Sequence, residues 1–105
     1  MQTIVIRLSP KTLSNPDLDL RYTVPDEIEK ATNGVITDNG FDYLPDDSMG
    51  IWLETENAQQ SYPLVIELFN KQKFLDNDLS KSAEIYISQD ECADIEDCTK
   101  VYPTE

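Results

Sequence analysis

The stretch Thr3-Ile4-Val5-Ile6-Arg7-Leu8 decides the fold, because large aliphatic residues occupy every second position from Ile4 to Leu8. Side chains on an extended chain point alternately to opposite faces, so these three share one face. The pattern predicts a β-strand with one strongly buried side. Ser9-Pro10 ends it, since proline cannot donate to a strand ladder.

A helix is expected next, with two possible starts. Asn15-Pro16-Asp17 combines a capping residue, a first-turn proline and an acid. Pro25 would break a continuous helix because it lacks an N–H. We therefore expect a short turn near 16–21 and a main helix near 25–33. The core-facing residues of that helix are predicted to be Ile28 and Ala31, with Gly34 as its C-terminal stop.

Two further strands are predicted over 35–44 and 49–55, on either side of the turn Pro45-Asp46-Asp47-Ser48. Asn39-Gly40 lies inside the first of them. This pair is either a hairpin turn or a bulge within a longer strand. In the second strand, Ile51 and Leu53 would face away from Trp52 and Glu54.

A second helix is predicted over 62–74, with Ser61 as its cap. Its apolar positions recur at helical spacing and are Leu64, Val65, Leu68, Phe69 and Leu75. Asp76-Asn77-Asp78 would end it. A last strand is predicted over 83–88, where apolar and polar residues alternate.

The order strand, helix, strand, strand, helix, strand is the split βαβ pattern of ferredoxin-like α+β sandwiches. One antiparallel sheet would carry both helices on one face, and its other face would be open. We assign residues 1–88 to a single α+β domain and residues 89–105 to an acidic C-terminal tail. Residues predicted on the open face include Val5, Arg7, Trp52, Glu54 and Tyr86.

Negative charge is concentrated in two blocks of the chain, whose net charge is −13. Between Lys30 and Lys71 there are seven acids and no base, and from Glu84 to Glu105 there are seven acids and one base. Such a balance argues against binding nucleic acid, which requires Lys and Arg to neutralise phosphates. It favours a basic protein partner, or serves solubility alone.

The sequence offers little support for an enzyme or a metal-binding protein. The chain has no histidine, no nucleophile elbow and no phosphate-binding glycine loop. The acids near Asp38–Asp42 lack the spacing of a calcium loop, and two cysteines are too few for structural zinc. We therefore expect no catalytic residues, no metal site and no cofactor. A small-molecule or metal sensor is a minor alternative.

The location expected from sequence is the cytoplasm. No apolar run is long enough for a transmembrane helix, and the first residues lack the pattern of a signal peptide. In a reducing cytoplasm Cys92 and Cys98 would be free thiols, although their separation also permits a disulfide.

Two segments stand out without a motif to explain them: Asn15-Pro16-Asp17-Leu18-Asp19-Leu20-Arg21-Tyr22 and Asp38-Asn39-Gly40-Phe41-Asp42-Tyr43. A histidine-free, strongly acidic chain of one α+β domain resembles the immunity proteins of bacterial polymorphic and contact-dependent toxin systems. The resemblance covers size, charge and element order. It implies an inhibitor that binds a cognate toxin domain, often a basic nuclease, and blocks its active site.

The sequence thus predicts a non-enzymatic acidic binding protein whose partner is a basic protein, such as a toxin nuclease. Acids and aromatic anchors would form the contact, although Trp52 and Tyr43 could instead serve packing alone. The predicted partner-binding residues are Asp38, Asp42, Tyr43, Asp46, Asp47, Trp52, Glu54 and Glu56. The alternative is a self-associating structural or regulatory domain that pairs through the open face or an edge strand, so the chain would be a monomer or a homodimer.

Overall fold

The computed structural model describes residues 1–103. Five strands form one antiparallel sheet in the order β2-β3-β1-β4-β5. The strands are β1 Gln2–Leu8, β2 Thr37–Tyr43, β3 Met49–Thr55, β4 Ala83–Ser88 and β5 Thr99–Tyr102. The helices are α1 Leu20–Ala31, α2 Ala58–Lys71 and the short α3 Leu79–Ser82. This is the predicted ferredoxin-like α+β arrangement, extended by a fifth strand.

The hydrophobic core lies between the helices and one face of the sheet. Alternate residues of β1, β3 and β4 enter it, as the period of two predicts. The fully buried strand residues of the core are Ile4, Ile6, Leu8, Ile51, Leu53 and Ile85. The helices supply Leu20, Val24, Ile28, Val65 and Phe69. Within residues 1–103, no helix has the length and apolar character needed to cross a membrane.

Helix α1 begins at Leu20 and runs through Pro25, so the predicted break at Pro25 and the predicted start of the main helix near residue 25 are wrong. Leu20, Val24 and Ile28 recur every fourth residue and are fully buried. Burying each such side chain contributes about 1.5–3 kcal/mol, and together they outweigh the cost of about 3 kcal/mol for an internal proline.

The end of α1 matches the prediction more closely. Gly34 N–H donates to the Glu29 carbonyl and Asn33 N–H to the Lys30 carbonyl, which is the pattern of a Schellman motif. Asn33 and Gly34 both have positive φ. Ala31, predicted to face the core, is exposed because the helix turns it away from the sheet.

Helix α2 begins four residues before its predicted start. The Asn57 side chain accepts from the Gln60 N–H and is the actual N-cap. Ser61 is buried instead and shares a hydrogen bond with the Thr55 hydroxyl, at 2.9 Å. Val65, Leu68 and Phe69 of the predicted stripe are buried, whereas Leu64 lies at the edge of that stripe and Leu75 lies beyond the end of α2, and both are exposed.

Asn77 is a fully buried amide that ties two loops together. Its Oδ1 accepts from the Asn15 N–H at 2.7 Å, and its Nδ2 donates to the Asn15 carbonyl at 2.7 Å. The same Nδ2 also donates to the carbonyls of Phe74 and Leu75. Helix α2 has already ended at Lys71. Asp76-Asn77-Asp78 therefore lies in the loop after the helix and does not end it as predicted.

Candidate functional site

All eight predicted partner-binding residues lie on the β2–β3 hairpin and its flanks, but they do not form one surface. A bulge at Asn39-Gly40 divides β2, since Asp38 pairs with Leu53 and Phe41 pairs with Ile51. Leu53 faces the core, so Asp38 lies on the helix side of the sheet. Asp42 pairs with Gly50 and lies on the opposite face, which we call the outer face.

The turn between β2 and β3 holds Asp46 and Asp47. Asp46 forms an ion pair with Arg7 and accepts from the Ser48 N–H. Hydrogen bonding to Ser48, and then to Arg7, holds the pKa of Asp46 below its ordinary value. Asp47 has a φ of 66°, a conformation that Asp tolerates, and its side chain is exposed.

Glu54 and Glu56 lie toward the other end of β3. Strand β3 spans about 20 Å, so Glu56 is remote from Asp46 and Asp47. Glu54 is half-buried on the outer face, opposite Thr3 and Thr37. Within residues 1–103, five of the predicted acids form no ion pair: Asp38, Asp42, Asp47, Glu54 and Glu56.

Trp52 is half-buried and is held against the sheet and the segment that contains Ala93 by its contacts. A Cβ atom on Gly50 would lie 2.5 Å from the six-membered ring of Trp52, so the indole packs directly over the glycine. The indole Nε1 donates to the Ala93 carbonyl at 2.8 Å. Both the ring and the indole N–H of Trp52 are therefore engaged in contacts within the chain.

The outer face is not open, which corrects the prediction. Residues 89–98, which we call the C-terminal strap, cross it. The Thr3 hydroxyl donates to the Asp90 carbonyl at 2.8 Å and accepts from the Ala93 N–H. Val5, which points to this face between Trp52 and Tyr86, is 0% exposed. Beyond the strap, β5 pairs with β4, so residues predicted as an acidic tail extend the sheet as far as Tyr102; residues 104–105 lie outside the described part.

The carboxylates of Asp46 and Glu84 are neutralised within the chain. Arg7 forms ion pairs with Glu84 and Asp46, and Lys100 pairs with Glu84 at 2.8 Å. Burial raises the pKa of Glu84, but the hydrogen bonds from Lys100 and Arg7 outweigh it and hold that pKa below its ordinary value. These groups form a structural network that leaves little free charge.

A second cluster, missed at the sequence level, lies where α1 meets β2. Phe41 and Tyr43 contact edge to face with centroids 5.3 Å apart. The Arg21 guanidinium lies 4.6 Å from the centre of the Tyr22 ring and 5.7 Å from that of Phe41. Tyr22 is 61% exposed and Tyr43 55% exposed. We call these four residues the α1–β2 seam.

The alternation of Phe41 and Tyr43 on β2 is a sequence signal that places both rings on one face. No local signal joins them to Arg21 and Tyr22, because the helix start was predicted wrongly. Beside the seam is a cleft of about 420 Å³. The cleft is lined by Tyr22, Thr23, Pro25, Asp26, Glu29 and Asp38.

Both cysteines are free thiols on the strap side of the molecule. Cys98 donates to the Asp94 carbonyl, and burial together with nearby acids raises the pKa of its thiol. Within residues 1–103, His, Cys, Asp and Glu side chains form no group of three that could hold a metal ion.

Comparison of the chain with protein-family models, with curated proteins and with solved structures gave no match.

Proposed function

We propose that this chain is a non-enzymatic acidic protein that binds and blocks a basic partner, such as a toxin nuclease, in the cytoplasm. The observation that supports this function is the contrast in charge pairing. Five acids of the β2–β3 hairpin and its flank, Asp38, Asp42, Asp47, Glu54 and Glu56, have no counter-charge in residues 1–103, whereas Asp46 and Glu84 are paired with Arg7 or Lys100. Unpaired surface carboxylates repel one another, so a partner that supplies cations gains favourable Coulomb energy.

Three features count against the alternative of self-association. The C-terminal strap crosses the outer face, where Val5 is buried and Trp52 and Tyr86 are half-buried, so this face offers little apolar surface to a second copy. The β2 edge carries Asp38 and Asp42 around a bulge, and charges and bulges are the usual devices that prevent strands from pairing at an edge. Two copies with a net charge of −13 would also repel each other.

A capture experiment followed by an activity assay tests the function. The immobilised chain is incubated with source-cell lysate at about 50 mM salt. Bound protein is then eluted with a gradient to about 0.5 M salt. We expect a basic protein to elute at a defined step. The purified partner should then lose its own activity when the chain is added back, because its cationic cleft is covered.

Matched variants make the test specific. The hairpin variant Asp38→Asn/Asp42→Asn/Asp47→Asn should inhibit the partner at least about tenfold less well. The control Asp76→Asn/Glu91→Gln/Asp97→Asn removes the same charge from exposed positions elsewhere and should inhibit nearly as well as the unaltered chain. Equal inhibition by both variants, or capture that is insensitive to salt, would contradict the proposed function.

A further inference from the structure

In the α1–β2 seam, aromatic rings contact the cationic side chain of Arg21. This contact shows the kind of group that the rings bind. Arg21 stacks on Tyr22 and Phe41. Its Nε is buried without a hydrogen-bond partner in residues 1–103, and it forms no ion pair there. The rings, rather than an acid, therefore hold this guanidinium in place.

Tyr22 also lines the neighbouring cleft, together with the carboxylates of Asp26, Glu29 and Asp38. Asp26 pairs with Lys30 at 2.9 Å, whereas Glu29 and Asp38 have no ion pair in residues 1–103. The Oδ1 of Asp38 accepts from the Gly40 N–H in the bulge, which fixes that carboxylate at the cleft wall. Among the described residues, Tyr22 is the one aromatic side chain that lines the cleft, and its ring and the two unneutralised carboxylates are together complementary to a planar cation.

We propose that this cleft receives an arginine side chain of the basic partner, an inference that rests on the proposed function. Arginine fits better than lysine, because a planar guanidinium stacks on an aromatic ring and can bond two carboxylate oxygens at once. The surrounding Tyr43 and Phe41 supply the apolar contact area that rigid aromatic side chains give an interface.

Two peptides of four Gly-Arg or four Gly-Lys repeats, with blocked ends, test the inference by titration into the isotope-labelled chain at low salt. Amide chemical shifts report the site, and the affinity is fitted from them. We expect the arginine peptide to bind about threefold more tightly and to shift signals mainly at Tyr22, Thr23, Asp26 and Asp38.

Two variants with equal charge changes separate the cleft from general attraction. Glu29→Gln/Asp38→Asn keeps the side-chain shapes and an acceptor oxygen at position 38, and it should weaken the arginine peptide about fivefold. Glu91→Gln/Asp97→Asn, on the C-terminal strap, should weaken it about twofold or less. Tyr22→Leu should abolish the preference for arginine over lysine.

The outcomes distinguish the cleft from the function. Equal binding of both peptides with shifts spread over the hairpin and the strap would overturn the arginine cleft and leave charge-driven binding intact. Failure of both peptides to bind at low salt would contradict the proposed function as well. Seam signals that change with the concentration of the chain alone would show that a second copy occupies the surface, which also overturns the inference.

Discussion

The outer face of the sheet and the α1–β2 seam carry similar side chains, aromatic rings among charges, yet their contacts differ. On the outer face, Trp52 bonds to the strap, and Glu84 is shared by Arg7 and Lys100. In the seam, Tyr22 and Tyr43 are more than half exposed, and in the cleft beside it Asp38 forms no ion pair within residues 1–103. Residues with internal partners stabilise the fold, and residues without them are available for a partner. Substitutions should therefore separate stability from binding.

Trp52→Ala should produce the largest loss of stability. The substitution removes a ring packed on Gly50 and the bond that holds Ala93, so the strap loses an anchor. We expect the free energy of unfolding to fall by about 2–3 kcal/mol in denaturant titrations. Trp52→Phe keeps a ring and should cost about 1 kcal/mol. A loss below about 0.5 kcal/mol for Trp52→Ala would mean that the strap does not depend on this contact.

Tyr43→Ala should weaken binding of the partner while leaving the stability of the fold nearly unchanged. Tyr43 contacts Phe41 but is mostly exposed, so the free energy of unfolding should change by less than about 1 kcal/mol. Affinity for the captured partner should fall about tenfold, since tyrosines are enriched among the residues that dominate interfaces. The check is titration calorimetry beside denaturant unfolding. Unchanged affinity would remove Tyr43 from the interface.

Glu84→Gln should lower the free energy of unfolding at neutral pH but not at strongly acidic pH. The pKa of Glu84 is lower in the folded chain than its ordinary value of 4.5. The ionised group therefore adds stability above about pH 4.5, and this contribution is lost as the pH falls through the folded pKa. We expect the variant to be about 1 kcal/mol less stable at pH 7 and equal to the unaltered chain at strongly acidic pH. A difference that does not depend on pH would contradict the network.

Asp38→Asn/Asp42→Asn/Glu56→Gln should have the smallest effect on the fold, with a reversed sign. These acids have no ion pair in residues 1–103, so removing their mutual repulsion should raise the melting temperature by about 1–2 °C at low salt. The gain should vanish at about 0.5 M salt, where exposed charges are screened. A lower melting temperature would show that these carboxylates stabilise the fold after all.

Strands were more predictable than helix starts for a physical reason. Strands 49–55 and 83–88 were predicted to the residue, because alternation of apolar side chains is a local pattern. The start of α2 was not, since Asn57 and Ser61 are both good caps and tertiary packing chose between them. The bulge at Asn39-Gly40 was one of two predicted alternatives, and pairing with β3 decided it.

The candidate site was predictable only in part. The acidity of the β2–β3 hairpin follows from the sequence, but the exposure of Tyr43 and the division of the acids between two faces depended on the tertiary structure. Arg21 and Tyr22 joined the site through packing between α1 and β2, and Trp52 left it through a bond to Ala93, 41 residues away. Contacts between distant residues leave no periodic trace in a sequence.

The sequence alone determined the order of the first four strands and the two long helices, the ferredoxin-like arrangement and the placement of negative charge, because each depends on residue type and spacing along the chain. Tertiary structure decided which acids are paired, which aromatic rings are exposed and that residues 89–98 cross the outer face. Those features depend on contacts such as the bond from Thr3 to Asp90, which joins the two ends of the described chain. Such bonds form only after the sheet has brought distant residues together.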